Sequence, residues 1–214
     1  MYKGAGWMAP SAAASQLELI ETDTTSGAEQ FPPGVLDVNG QQVDLRDKHS
    51  WTMRLGEVET PELLEVLAVN AAAPFVLNGK LRGLMERTAA TNGPSEDVKG
   101  RAFVVNVSAM EGKFYRYKTA NHPHTNMAKA ALNMMTRTCA ADLARAHVFM
   151  TAVDTGWIND EKPTGRAVEH ARRHAFQTPL DEIDAAARIL DPVLGGHEPP
   201  LHGVFLKDYA PCEW

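Results

Sequence analysis

The run Ala102-Phe103-Val104-Val105-Asn106-Val107 constrains this chain more than any other feature. It is nearly continuous in apolar residues, as expected of a β-strand covered on both faces, the habit of strands in parallel sheets. A stretch dense in Ala, Met and Leu follows from about Thr125 to Ala146 and reads as a long helix. Val148 to Val153 is a second buried strand, Thr178 opens a helix over Pro179 to Leu190, and Gly203-Val204-Phe205-Leu206 is a third strand. Strand, helix, strand, helix, strand predicts a small parallel sheet with right-handed crossovers. Upstream, Thr60 is placed as the cap of a further helix, with Pro61 in its first turn and Glu62 and Glu65 near its positive end. Leu63, Leu67, Asn70 and Pro74 recur along it at helical spacing, and Ala89 to Gly100 reads as a polar loop.

Residues 1–59 form an irregular N-terminal segment rich in Gly, Pro, Ser and Thr, and residues 60–214 form the α/β domain. Val35-Leu36-Asp37-Val38 and Gln42-Val43-Asp44-Leu45 flank Asn39-Gly40, which predicts a hairpin over 35–45, either a lid over a pocket or a surface ribbon. At 214 residues and 44% hydrophobic content the chain can bury one sizeable core. Its net charge of -6 argues against a nucleic-acid partner. No apolar run approaches the roughly 20 residues that cross a bilayer, and the N-terminus leads into no secretory h-region, so no membrane partner is expected. Cys139 and Cys212 make no disulfide framework and fit a reducing cytoplasm, Cys139 as a small buried hydrophobe. Met127, Met134 and Met135 read as core or interface packing.

Four ordered landmarks carry a resemblance. Val104-Val105-Asn106-Val107-Ser108-Ala109 is similar to the strand that ends at the catalytic serine of the short-chain dehydrogenase/reductase family. Lys129-Ala130-Ala131-Leu132-Asn133 resembles the segment that begins at that family's catalytic lysine. Val69-Asn70-Ala71 matches the helix that supplies its active-site asparagine. Val153-Asp154-Thr155-Gly156-Trp157-Ile158 resembles the turn that lies against nicotinamide, with Thr155 where the family has proline. The resemblance spans about Thr60 to Tyr209 and is closest to an atypical branch with a His-Pro-His-Thr-Asn-Met-Ala-Lys run. It implies a homo-dimer or tetramer, because the family's two long helices pack against their counterparts.

Two departures qualify it. The family's tyrosine, four residues before the lysine, is here Thr125, whose hydroxyl does not ionise near neutrality. A doubly wound dinucleotide site also needs a glycine-rich turn between its first strand and helix. Asn70 arrives too early for those units, and Gly4-Ala5-Gly6 has neither a preceding strand nor a third glycine at the right spacing. The expected fold is therefore a three-layer remnant of a Rossmann-like parallel sheet with helices on both faces, missing the N-terminal βαβ cofactor half. No cofactor is expected; NADP or NAD is the alternative.

The candidate catalytic residues are Asn70, Ser108, Thr125, Lys129, Tyr115, Tyr117 and His124. Pro74 removes the amide that would bond the Asn70 carbonyl, which either frees that carbonyl for a water or merely bends a packed helix. Ser108 at a strand's carboxyl end lies where open sheets place ligands, with a hydroxyl suited to a substrate carbonyl. Thr125 and Lys129 share a helix face; Lys129 either polarises a carbonyl as a cation or acts as a base. His122 and His124 are the replacements considered for the lost proton donor, against a bland reading as polar loop. Met110, Glu111, His122, Asp154, Gly156 and Trp157 are the candidate substrate-binding residues. His170 and His174 stand at a zinc-compatible spacing without an evident carboxylate or thiolate partner, so no metal is expected. Three readings follow: an acid/base enzyme working on a small molecule without nicotinamide (isomerisation, dehydration or cyclisation), an NAD(P)-dependent oxidoreductase with unconventional cofactor binding, and a non-catalytic scaffold recruiting partners along an exposed sheet edge.

Overall fold

In the computed structural model the described residues are 17–18, 27–37, 40, 42–46, 49–91, 100–158 and 178–214. Gly4-Ala5-Gly6, His170 and His174 lie outside them.

The chain builds a four-stranded sheet in the order β1 (Ala102–Ser108), β2 (Val148–Asp154), β3 (Phe205–Lys207), β4 (Ala210–Cys212). The first three strands are parallel, as the alternation of apolar runs and helices requires. The fourth is antiparallel, so the sheet is mixed rather than wholly parallel. The reason is local: Asp208 and Tyr209 both take positive φ, turning the chain straight back on β3, a connection too short for any crossover. β2 is buried along its whole length. β1 alternates buried with partly exposed positions and is an edge strand, its outer side carrying no partner strand among the described residues.

Helices pack around this sheet. Thr60–Thr91 is one helical rod of three parts: α1 (Thr60–Leu67), a π turn (Ala68–Ala72) and α2 (Ala73–Thr91). Thr60 lies inside α1, and Glu59 precedes it without a side-chain cap, which corrects the expected capping role of Thr60. The π turn is how the rod absorbs Pro74: the Ala73 amide bonds the Ala68 carbonyl five residues back. The rod continues to Thr91, past the predicted loop start at Ala89, because Ala89 is buried in the core. α3 (Pro123–Ala144) links β1 to β2. α4 (Glu182–Leu194) links β2 to β3 and starts three residues later than predicted. Asp181, not Thr178, caps it: the Asp181 carboxylate accepts from the Ile183 and Asp184 amides while Asp184 reaches back, a capping box.

A core of Ala89, Ala102, Val104, Ala140, Leu143, Val148 and Met150 joins α2, α3, β1 and β2, with Cys139 packed partly against it. Among its described residues the predicted hairpin shows one antiparallel bridge, Leu36 to Gln42, with Gly40 at φ 76 and the Val43 amide on the Val35 carbonyl. Asn39 is outside the described residues. Residues 49–57 lie against the start of α3 through the Arg54–Asn121 bridge.

Candidate functional site

Register decides where the chemistry gathers. β1 and β2 pair without a shift from Ala102↔Val148 to Ser108↔Asp154, so Ser108 and Asp154 end side by side at the carboxyl edge of the parallel strands. Along β1 runs one stripe of α3 with polar residues at helical intervals: Thr125, Lys129, Asn133 and Thr136. Three of these four bond to β1. The Lys129 ammonium donates to the Val107 carbonyl at 3.1 Å. The Ser108 hydroxyl donates to the Asn133 side-chain oxygen at 2.6 Å. The Asn106 amide donates to Thr136 at 2.9 Å and receives Asn78 of α2 at 3.4 Å. Ser108, Asn106, Asn133 and Thr136 are all buried, so each polar group is satisfied by another.

An open cleft of 300 Å³ borders this stripe, lined by Val69, Asn70, Pro74, Asn78, Val107 and Lys129 among others. Burial holds the Lys129 ammonium below its usual pKa, opposed by the charge of Glu111. Lys129 therefore gives up a proton more readily than a solvated lysine.

Glu111 sits on a 3-10 turn, Met110–Gly112, laid against α3. The approach is so close that a Cβ on Gly112 would stand 2.5 Å from the Lys129 carbonyl carbon. The Asn133 amide bonds the Gly112 carbonyl at 3.3 Å, tying the turn to the residue that holds Ser108. Lys118 donates to the Met110 and Glu111 carbonyls at 3.0 and 2.6 Å. Asp154 is a clamp between two turns: one oxygen accepts the Met110 amide at 2.8 Å and the other the Gly156 amide at 2.6 Å. Gly156 takes φ +82 against Leu180, whose side chain occupies the space any Cβ would need. Trp157 on this turn is 46% exposed.

The remaining candidates go elsewhere. The Asn70 side chain donates to the Val66 carbonyl of its own helix at 3.0 Å, although the residue still lines the cleft. Thr125 is half-buried on the α3 stripe, one turn before Lys129. Tyr117 is exposed, and Tyr115 lies over the Lys113 ammonium. His122, in a left-handed conformation, stacks on Trp51 at 4.0 Å and bonds its carbonyl at 2.8 Å, which binds residues 49–57 to α3. His124 is buried against α1, 4.0 Å from Glu62, and burial holds its pKa down. Sequence reasoning missed Asn133, Asn106, Asn78, Lys118 and Trp51. Asn133 carried a signal, its i+4 spacing from Lys129; Asn78 and Trp51 carried none.

No family model matches the chain. An "Uncharacterized protein" of Acanthamoeba polyphaga mimivirus is 30% identical over 193 residues, covering 84% of this chain and 38% of its own length. The solved structure of the carbonyl reductase Sniffer of Drosophila melanogaster superposes with a TM-score of 0.60 at 22% identity, covering 76% of this chain and 61% of that one. An NADPH-bound carbonyl reductase from chicken fatty liver gives 0.53 at 18% identity, over 80% and 63%. The chain thus spans less than two thirds of the length of these relatives.

The NADPH in a structure of the same fold corrects the expectation that no nicotinamide takes part. The residues available to meet the nicotinamide end of such a molecule are Ser108 and the Asp154–Trp157 turn at the strand ends, with Lys129 on the cleft along β1. The described residues do not fit its diphosphate end, because none of the described glycines lies in a strand-to-helix turn whose amides converge on a helix start.

Proposed function

We propose that this chain, whose fold is that of the short-chain dehydrogenases and reductases, is the substrate side of a nicotinamide-dependent oxidoreductase for small carbonyl compounds. The observation that carries this reading is the register of β1 on β2. That register sets Ser108 beside Asp154 at the strand ends, with the Gly156 amide held by Asp154 and Lys129 bonded to the neighbouring Val107 carbonyl. When bound, the nicotinamide supplies hydride exchange at the carbonyl carbon.

The chain's own residues do the rest. Ser108 turns its hydroxyl from Asn133 toward a substrate carbonyl and stabilises negative charge on that oxygen. Lys129, its pKa lowered by burial, delivers the proton that the family draws from tyrosine; Thr125 cannot. Asn133 holds Ser108, and Asp154 fixes the turns on either side. The protein works in the cytoplasm as a homo-oligomer.

The test is to titrate the protein with NADPH by fluorescence and to follow oxidation of NADPH on adding a panel of aldehydes and ketones. Saturable quenching with carbonyl-dependent turnover is expected. Ser108→Ala and Lys129→Met should each lower kcat by about 100-fold or more, the usual scale for lost acid/base or oxyanion groups. Quenching and turnover unchanged in both variants, or neither signal in the parent chain, overturns the reading.

A further inference from the structure

Lys113 follows the 3-10 turn and is 1% exposed, the largest of the side chains that are fully buried. A buried ammonium is costly unless paired, yet no carboxylate lies within ion-pair distance of it among the described residues. Its nitrogen stands 4.0 Å from the centroid of Phe205 and 5.0 Å from that of Tyr115, and it donates a hydrogen bond to the Cys212 sulfur at 3.3 Å. Three N–H donors thus meet two ring faces and one weak sulfur acceptor. The Tyr115 phenol borders the same sulfur: burial, and then the Cys212 thiol, raise its pKa. Cys212 itself is only partly buried, on the short strand β4 at the end of the sheet.

We propose that Cys212 is a peroxide-sensing residue whose oxidised form Lys113 retains. A peroxide breaks its O–O bond on the Cys212 sulfur; an S–O bond forms and one water leaves. Sulfur loses two electrons, the peroxide gains them, and the thiol proton goes to the water. The new sulfenic oxygen provides the Lys113 ammonium with the oxygen acceptor it lacks. Cys139, buried to the same degree, is the internal comparison: it packs against the apolar core and no cation bonds its sulfur among the described residues. A route from the modified residue to the site exists, because Lys113 follows Gly112, whose carbonyl holds Asn133 and through it Ser108.

The experiment exposes the full chain to hydrogen peroxide with dimedone, which alkylates sulfenic acids, and maps the adduct by peptide mass spectrometry. Dimedone should mark Cys212 about tenfold more than Cys139, in line with the site selectivity of thiol oxidation. Lys113→Met should reduce the Cys212 adduct several-fold. Equal labelling of the two cysteines in the parent chain overturns the proposal without any variant. A Lys113→Met chain with unchanged circular dichroism and undiminished Cys212 labelling overturns it equally.

Discussion

At the residue scale, the chemistry rests on how burial treats a few polar groups. Ser108 and Asn133 satisfy each other inside the fold, so a substrate carbonyl competes for a hydroxyl already in use. Lys129 keeps one bond to the Val107 carbonyl and is partly desolvated, which disfavours its charged form. A carbonyl reduction that takes its proton from Lys129 needs the ammonium. The rate is therefore expected to fall as pH rises through a pKa below the ordinary lysine value of about 10.4. A pH profile of kcat checks this: Lys129→Arg, always protonated, should lose the alkaline limb along with most of the rate. Stability moves in the opposite sense. The depressed folded-state pKa means that the cost of burying the cation is full at lower pH and fades as pH rises through that pKa.

At the element scale, the helices differ in what starts and holds them. α4 owes its start to Asp181 and Asp184, and removing the cap by Asp181→Ala should cost about 1 kcal/mol in urea unfolding without touching the site. The rod Thr60–Thr91 is the opposite case, with Leu64, Val69, Phe75, Val76, Leu77, Leu81 and Leu84 all exposed. It is long and apolar enough to cross a membrane by length and composition, although it holds no unbroken apolar run of that length. Specific polar contacts nevertheless tie it to the domain: Asn78 to Asn106, and Arg82 to Asp142 of α3 at 2.8 Å. The parallel strands were legible as nearly continuous apolar runs, because both their faces are covered, and the long helices because period-3.6 burial writes itself into apolar spacing. The antiparallel β4 was not, since a three-residue strand containing Pro211 has no periodicity to read.

For the whole molecule, two surfaces are left open. The first is the outer edge of β1, which carries no partner strand among the described residues. The second surface is the apolar groove of Leu64, Leu67, Ala71, Phe75, Ala131 and Met135 between α1, the π turn, α2 and α3. A second copy of the chain covering this groove is the expected oligomer. Light scattering should then give a multiple of 23.4 kDa, and Phe75→Asp should shift the protein toward monomer. A monomer in the parent chain would remove this expectation.

By itself the sequence determined which segments pair as a parallel α/β unit and that Ser108, Lys129 and Asp154 belong near its strand ends. The segments are a local matter of apolar period, and the grouping of the three residues is what the resemblance of their runs to the short-chain dehydrogenases implies. Only the tertiary structure decided that Asn133 takes the Ser108 hydroxyl, that His122 serves Trp51, and that Tyr115 and Lys113 converge on Cys212. Those partners lie 25, 71, 97 and 99 residues apart in the chain. No local pattern encodes such a pairing; it arises when burial forces each desolvated polar group onto whichever partner the packed fold brings within reach.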